Sequence, residues 1–327
     1  MIRIYIAKKT FTSPFVDIES RTYLEQKGVS FTTNFLKADI ILSVSSSLQT
    51  YVWLKKLFPW KKYIVWTNEP RYEKRFQNFI DGGSVIMNVF SGNVFFNNLH
   101  FLGSYHNNFS VDLGINLHAP PGKPLSSESL RRKKKFCVAV FAFRDPEKSI
   151  ILYKGQNLDL FSKRQELAGF FQKFSNTDII GSNWPSPYNI KESSGYESKS
   201  DLWWDRKLEI LQEYKFNICF ENTIFPFYCT EKIWHSIAAG CLPIYYGKGT
   251  AIYNTFPQQS FIDASMFSSN EELLSFLINL PEEEHLRRFN LCLEVMHEAC
   301  KVRASDPNSR TEILEKFVDS IQDVISI

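Results

Sequence analysis

Along the chain, short apolar runs alternate with longer stretches of helical spacing. "IRIYIA" predicts a strand, a helical stretch runs to Gly28, "ADIILSVS" predicts a second strand, "LQTYVWLKKLF" a helix and "KKYIVWT" a third strand. The helical pattern of "YEKRFQNFI" leads to Gly82-Gly83, which turns the chain into "SVIMNVF". Residues 119–135, "APPGKPLSSESLRRKKK", have no apolar period and predict a linker. The alternation then restarts with "KFCVAVFAF", the amphipathic "SKRQELAGFFQKF", "TDIIGS", the helical "DRKLEILQEY" and "KFNICF". In the last stretch, "SRTEILEKFVDSIQDVISI", Ile313, Leu314, Phe317, Val318, Ile321, Val324 and Ile325 fall on one face, which requires a packing partner. The pattern is two α/β halves with parallel sheets, and a cleft at the carboxyl ends of their strands is the expected ligand site.

Composition narrows this picture. With 327 residues, 44% hydrophobic, the chain is long enough for two domains with sizeable cores. A net charge of +3 is too near balance for a protein that coats nucleic acid. The six cysteines lie in apolar segments without a C-x-x-C pair and are expected as reduced core residues. Arg3, Lys8 and Lys9 interrupt the first apolar run, so neither a signal peptide nor a membrane span is expected, and the chain as given reads as cytosolic. The basic run Arg131, Arg132, Lys133, Lys134 and Lys135 reads as a solvated linker face, with contact to anionic lipid as the alternative.

Candidate chemistry gathers in "NICFENTIFPFYCTEKIWHSIAAGCLPIYYG", a strand, a loop, a helix and a second strand. Thr230 is placed to cap the helix and Glu231 suits its first turn, but Lys232 beside them is a cation at the positive end of a helix dipole. That position is disfavoured by about 0.3–1 kcal/mol unless an anion accompanies it, which points to a phosphate site. Glu69 in "WTNEPRYEKR" is a carboxylate held before Pro70 in the other half. A carboxylate in one half and an anion-binding helix end in the other suit deprotonation of a hydroxyl while a phosphorylated group departs. Each residue has a plainer reading: Glu69 paired with Arg71 in solvent, Lys232 paired with Glu231 or Glu221, His235 simply packed.

The stretch "YKFNICFENTIFPFYCTEKIW" with "AAGCLPIYYGKGTAIYNTFPQQSFID" resembles the donor-binding signature of the α1,3-fucosyltransferases, glycosyltransferase family 10, almost continuously over residues 214–263. "SKRQELAGFF" and "VWTNEP" are similar to two further parts of the family pattern, while Cys229 stands where valine is usual and Asn-Glu-Pro-Arg departs from the usual turn. The resemblance implies a GT-B-type α/β protein of two Rossmann-like domains with parallel sheets facing a central cleft. Residues 1–118 would bind the acceptor, 136–307 would bind GDP-sugar, and a helix over 308–327 would return to the first domain. It further implies inverting transfer of L-fucose from GDP-fucose to an acceptor glycan, as an α1,3 linkage to N-acetylglucosamine in a lactosamine-like unit. Glu69 would be the general base. Lys232 and Arg164, with Lys163 and Arg144 as rivals of the latter, would hold the diphosphate, Glu231 the ribose hydroxyls, and Asn222 and Tyr228 would shape the donor pocket. No D-x-D triplet occurs, so fixed cations are expected in place of a metal, with a divalent ion at most stimulatory.

Overall fold

The computed structural model describes residues 1–7, 18–43, 48–67, 79–81, 84–88, 90, 94–100, 122–192, 203–305 and 309–326. Chain contacts divide the molecule into two compact units, the first made of Met1–Asn107, Phe225–Tyr228 and Asp306–Ile327 and the second of Asn108–Ile224 and Cys229–Ser305.

In the first unit the apolar runs become β1 (Ile2–Ile6), β2 (Val29–Phe31), β3 (Ile40–Ser43), β4 (Lys62–Thr67), β5 (Phe79–Asp81) and β6 (Ser84–Asn88), in the sheet order β2-β1-β3-β4-β6-β5. The pairs from β2 to β6 are parallel, and β5 runs antiparallel to β6 with Phe79 opposite Ile86. Phe79 and Ile80, expected as the end of a helix, are therefore strand. An Asp-Gly-Gly sequence is a hairpin signal, and pairing at the sheet edge outweighs the helical spacing before it. Helices Ile18–Gln26 and Gln49–Leu57 connect the early strands. The second buries Tyr51 and Leu54 against Ile41, Tyr63 and Val65. The Tyr63 hydroxyl binds the carbonyls of Leu54 (2.7 Å) and Phe58 (2.9 Å), which fixes where that helix ends.

The C-terminal helix Ser309–Ser326 groups with this unit. Ile313, Leu314, Phe317, Val318, Ile321 and Val324 are buried, while Ile325 stays exposed at the frayed end. Phe317 meets the fully buried Trp66 of β4 edge-on at 5.5 Å, and Tyr23 donates to Glu315 at 2.8 Å. Burial of each large apolar side chain on this stripe stabilises the packing by about 1.5–3 kcal/mol.

The second unit holds β7 (Lys135–Val140), the small hairpin β8 (Leu152–Tyr153) and β9 (Gln156–Asn157), then β10 (Thr177–Ile180), β11 (Ile190–Glu192), β12 (Tyr214–Ile218), β13 (Leu242–Tyr245) and β14 (Ile262–Asp263). Six of them form one parallel sheet in the order β11-β10-β7-β12-β13-β14. The chain first builds outward from β7 on one side and then restarts at β12 on the other. This is the Rossmann strand order, and its reversal creates a switch point between the carboxyl ends of β7 and β12, where such sheets bind ligands. The central strands are mostly apolar and buried, with Val138, Ala139, Phe216, Ile218, Leu242 and Ile244 in the core.

Part of the stretch expected as a linker is folded. Ser127–Arg132 is a helix whose start carries reciprocal bonds between Ser126 and Ser129, and Leu130 is buried beneath it. The basic run is drawn into the structure only in part: Arg131 and Arg132 stay 73% and 77% exposed and Lys134 is exposed as expected, while Lys133 is buried. Arg131 forms two bonds of 3.0 Å to Glu282, Arg132 pairs with Glu128, and Lys135 pairs with Glu213. Buried Lys133 donates to the carbonyls of Gln212 (2.6 Å) and Ala239 (3.3 Å). A solvated cationic face was expected from the linear pattern, which shows none of these distant acceptors. All six cysteines are buried and free. Among the described residues no helix is long and apolar enough to cross a membrane.

Candidate active site

The site is built from the chain that leaves β12. Residues 219–224 turn across the start of the helix Phe161–Phe174: Leu160 N–H donates to Asn222 O (3.2 Å), Ile224 N–H to Leu158 O (2.9 Å), and Asp159 and Thr223 form an antiparallel bridge. Buried Asp159 fixes that helix start by accepting from the backbone of Phe161 (3.1 Å) and from the backbone (3.0 Å) and hydroxyl (2.6 Å) of Ser162. A carboxylate there also suits the helix dipole. One turn further in lies Arg164, only 3% exposed. Its guanidinium donates to Phe220 O at 3.0 Å and is sandwiched by the rings of Phe161 (4.2 Å) and Phe141 (4.5 Å). Phe141 follows β7 and Phe220 follows β12, so Arg164 joins the two strand ends at the switch point.

Glu221 is the hub. Fully buried, its carboxylate accepts from Thr230 N–H (2.7 Å), the Thr230 hydroxyl (2.7 Å) and Lys232 Nζ (3.2 Å), with Tyr245 OH at 3.5 Å. Lys232 also donates to Thr230 Oγ1 at 2.8 Å. Thr230 occupies the cap position of the helix Glu231–Ala238, yet its hydroxyl serves Glu221 and does not cap the helix as its residue type suggested. The anion beside Lys232 in this structure is therefore Glu221, one of the plainer readings of the sequence. Lys232 keeps 18% exposure, enough for the amine to face a ligand as well.

Glu231 and Lys207 complete the cluster. Glu231 Oε1 lies 3.6 Å from Lys232 Nζ and 3.9 Å from the Nζ of buried Lys207. Burial opposes the charge on Glu231, but Lys232 and Lys207 outweigh it and hold the carboxyl well below the usual range. Its 22% side-chain exposure softens the burial penalty and leaves an edge for a hydroxyl donor. Burial lowers Lys207 to about 8 despite Glu231, and burial raises Glu221 despite Lys232. The two amines and two carboxylates cancel formally, as do Arg164 and the buried Asp159 at the start of its helix, so what is offered to a ligand is the part-exposed amine of Lys232 at the N-terminus of Glu231–Ala238. Such an arrangement attracts an anion and can stabilise charge that develops on it.

A second wall comes from "YYGKGTAIYNTFPQQSFID". Asp263 accepts from Gly247 N–H (2.9 Å), Tyr253 OH (2.6 Å) and Ser265 N–H (2.9 Å), and a Cβ on Gly247 would come within 2.4 Å of Asp263 Oδ2. Glycine is required there. Tyr246 sits against Phe220 at 5.7 Å with Lys163 Nζ 5.8 Å from its ring.

The structure thus gathers Arg164, Asn222, Glu231 and Lys232 in the second unit. Tyr228 groups with the first, buried with its ring 4.8 Å from Phe90. Glu69 lies outside the described residues. The roles of Lys207 and Asp263 escaped sequence reasoning, and Glu221 entered it only as the plainer partner of Lys232. Glu221 left a faint signal as the acid next to a strand end and eleven positions before an ill-placed lysine, whereas Lys207 looks like any helix-surface cation.

The chain thus has two α/β units built on largely parallel sheets, the second wound as a Rossmann sheet with lysine and arginine at its switch point. Residues 147–290 match the C-terminal family model of glycosyltransferase family 10 (fucosyltransferase). The matched residues include Arg164, Glu221, Glu231 and Lys232. The chain is 26% identical to α-(1,3)-fucosyltransferase B of Drosophila melanogaster over 232 residues, 70% of this chain and 49% of that protein. It is 38% identical to α-(1,3)-fucosyltransferase 7 of Mus musculus over 127 residues, 38% of this chain and 30% of that protein. It is also 35% identical to mouse GDP-fucose protein O-fucosyltransferase 3 over 139 residues, 42% of this chain and 28% of that protein. The matched region spans at most about half of these relatives' length.

Proposed function

We propose that the protein transfers L-fucose from GDP-fucose to a hydroxyl of an acceptor glycan with inversion at the anomeric carbon, forming an α1,3 linkage to N-acetylglucosamine in a lactosamine-like unit. The observation that carries the donor half is the cationic cluster at the switch point, inside the region matched to family 10. Lys232 and Arg164 hold the diphosphate, with Lys232 exchanging part of its contact with Glu221 for phosphate oxygen. Glu231 accepts from the ribose hydroxyls, and Asn222 and Tyr228 shape the pocket around the donor.

In the chemical step, Glu69 takes the acceptor hydroxyl proton as that oxygen bonds to the anomeric carbon. The bond from that carbon to the diphosphate breaks, and GDP leaves with the electron pair. The amine and guanidinium stabilise the charge on the departing phosphate, the role a divalent metal fills elsewhere, so no metal is required.

The test is an acceptor panel with GDP-fucose beside UDP- and other GDP-sugars, with product linkage determined by NMR. Turnover with a UDP-sugar alone would overturn the donor assignment, and absence of turnover with every donor would leave a binding protein. The likeness to the protein O-fucosyltransferase favours a second reading of the acceptor, a hydroxyl on a polypeptide, with the donor half unchanged. Protein substrates belong in the same panel.

A further inference from the structure

The first unit carries apolar side chains on the outside of its helix Gln49–Leu57. Tyr51 and Leu54 face the core, which turns Trp53 and Leu57, one turn apart, outward, where they are 58% and 59% exposed. The chain then leaves the helix through Phe58 and Pro59 to Trp60, which is 72% exposed. Phe58 links this surface to its neighbour, with its ring 5.5 Å from Trp60 and 5.3 Å from Phe35. Beside Phe35, Leu36 is 59% exposed, and Lys61 Nζ donates to its carbonyl at 3.0 Å. The patch is continuous, and both contributing segments enter β3 and β4 at their amino ends, the edge of the sheet opposite to the ligand-binding carboxyl ends.

Its charge is one-sided. Residues 48–62 contain Lys55, Lys56, Lys61 and Lys62 and no acid, and Lys56 Nζ lies 5.6 Å from the Trp53 ring. Lys37 adds a cation beside Leu36, while nearby Asp39 is already held by Arg3 through bonds of 3.1 and 3.0 Å. Exposed tryptophan and leucine ringed by lysine suit the headgroup level of a bilayer, where indole rings prefer to sit and cations meet anionic lipid. A purely apolar protein partner would not call for this excess of positive charge. We propose that this ridge docks the protein on an anionic membrane surface, with Trp53, Leu57 and Trp60 entering the headgroup layer and the lysines contacting phosphate and carboxylate groups. In the basic run at residues 131–135, Arg131, Arg132, Lys133 and Lys135 are engaged with intramolecular partners and no exposed aromatic side chain stands among them, so the ridge and not this run carries the contact.

The experiment is cosedimentation of the full chain with vesicles of phosphatidylcholine, alone or with about one third phosphatidylserine, at low and physiological salt. Binding is expected only with the anionic vesicles and weaker at the higher salt. Leu57→Ser with Trp60→Ser should cut the bound fraction about tenfold or more. Lys37→Glu with Lys56→Glu should lose about fivefold per lysine even if the apolar variant folds poorly. Arg131→Ala with Arg132→Ala should leave binding unchanged. The proposal is overturned if wild-type protein stays in the supernatant, if the lysine pair binds as well as wild type, or if the ridge variants convert a lipid-free dimer to a monomer.

Discussion

The two sheets are made of the same grammar and buried very differently. Among the described residues of the first unit, the buried polar side chains are Ser20, Ser43, Ser84, Asn98 and His100, groups that are neutral or readily so. The second unit buries Lys133, Asp159, Arg164, Lys207, Glu221 and Asp263. Buried charge is costly unless it is paired and hydrogen-bonded, and nearly every one of these groups meets a partner fixed by the backbone of another element. Such wiring is hard to justify by stability alone, because apolar replacements of buried ion pairs are often as stable. Lys133 lies at the amino ends of the strands, but Asp159, Arg164, Lys207 and Glu221 lie near the switch point, where under the proposed function they hold cations for an anionic donor, whereas the described core of the first unit buries neutral groups.

The largest expected effect tests whether the first unit contributes catalysis at all. Glu69→Gln keeps the side-chain shape and loses the base, so kcat should fall by about two orders of magnitude or more with GDP binding near wild type. If more than about a tenth of turnover survives, Glu69 is not the base, and Glu73 is the next to test.

The next concerns stability in the second unit. Burial lowers His285 to about 4, while an unfolded histidine titrates near 6.5. Between those values the unfolded chain binds a proton that the folded chain refuses, so stability should fall by up to about 3 kcal/mol as pH drops from 6.5 to 4. Urea denaturation across that window should show the loss, and His285→Phe, which keeps a ring against Phe216, should flatten it. An unchanged slope in the variant would put the acid sensitivity elsewhere.

A smaller effect sharpens the account of the buried cations. Lys232→Ala removes a ground-state contact to the diphosphate and should weaken GDP binding about tenfold to a hundredfold by calorimetry. Unchanged affinity would mean that Lys232 serves only Glu221. The smallest expected effect is none: with cations already in place, excess EDTA should leave most transfer activity, and complete loss restored by manganese would show that the cluster does not replace a metal.

The alternation of periods and the motif over residues 214–263 were legible because they depend on local spacing and on residue types that follow one another in the chain. Strand cores and the apolar stripe on Ser309–Ser326 could both be read this way. What the linear pattern could not contain is which distant group completes each pair. Lys232 had phosphate, Glu231 and Glu221 as candidate anions until the turn after β12 brought Glu221 to it, and Lys133 looked as solvated as its neighbours until Gln212 and Ala239 arrived from elsewhere in the chain. The helical spacing before Gly82 likewise gave way at Phe79 to a partner strand. Secondary-structure tendency and the family motif were written in the sequence by itself, because both follow from near neighbours. The pairing of charges, the sheet order that makes a switch point and the exposure of Trp53 and Trp60 were decided only by tertiary structure, because each depends on which surfaces remain once the chain has folded on itself.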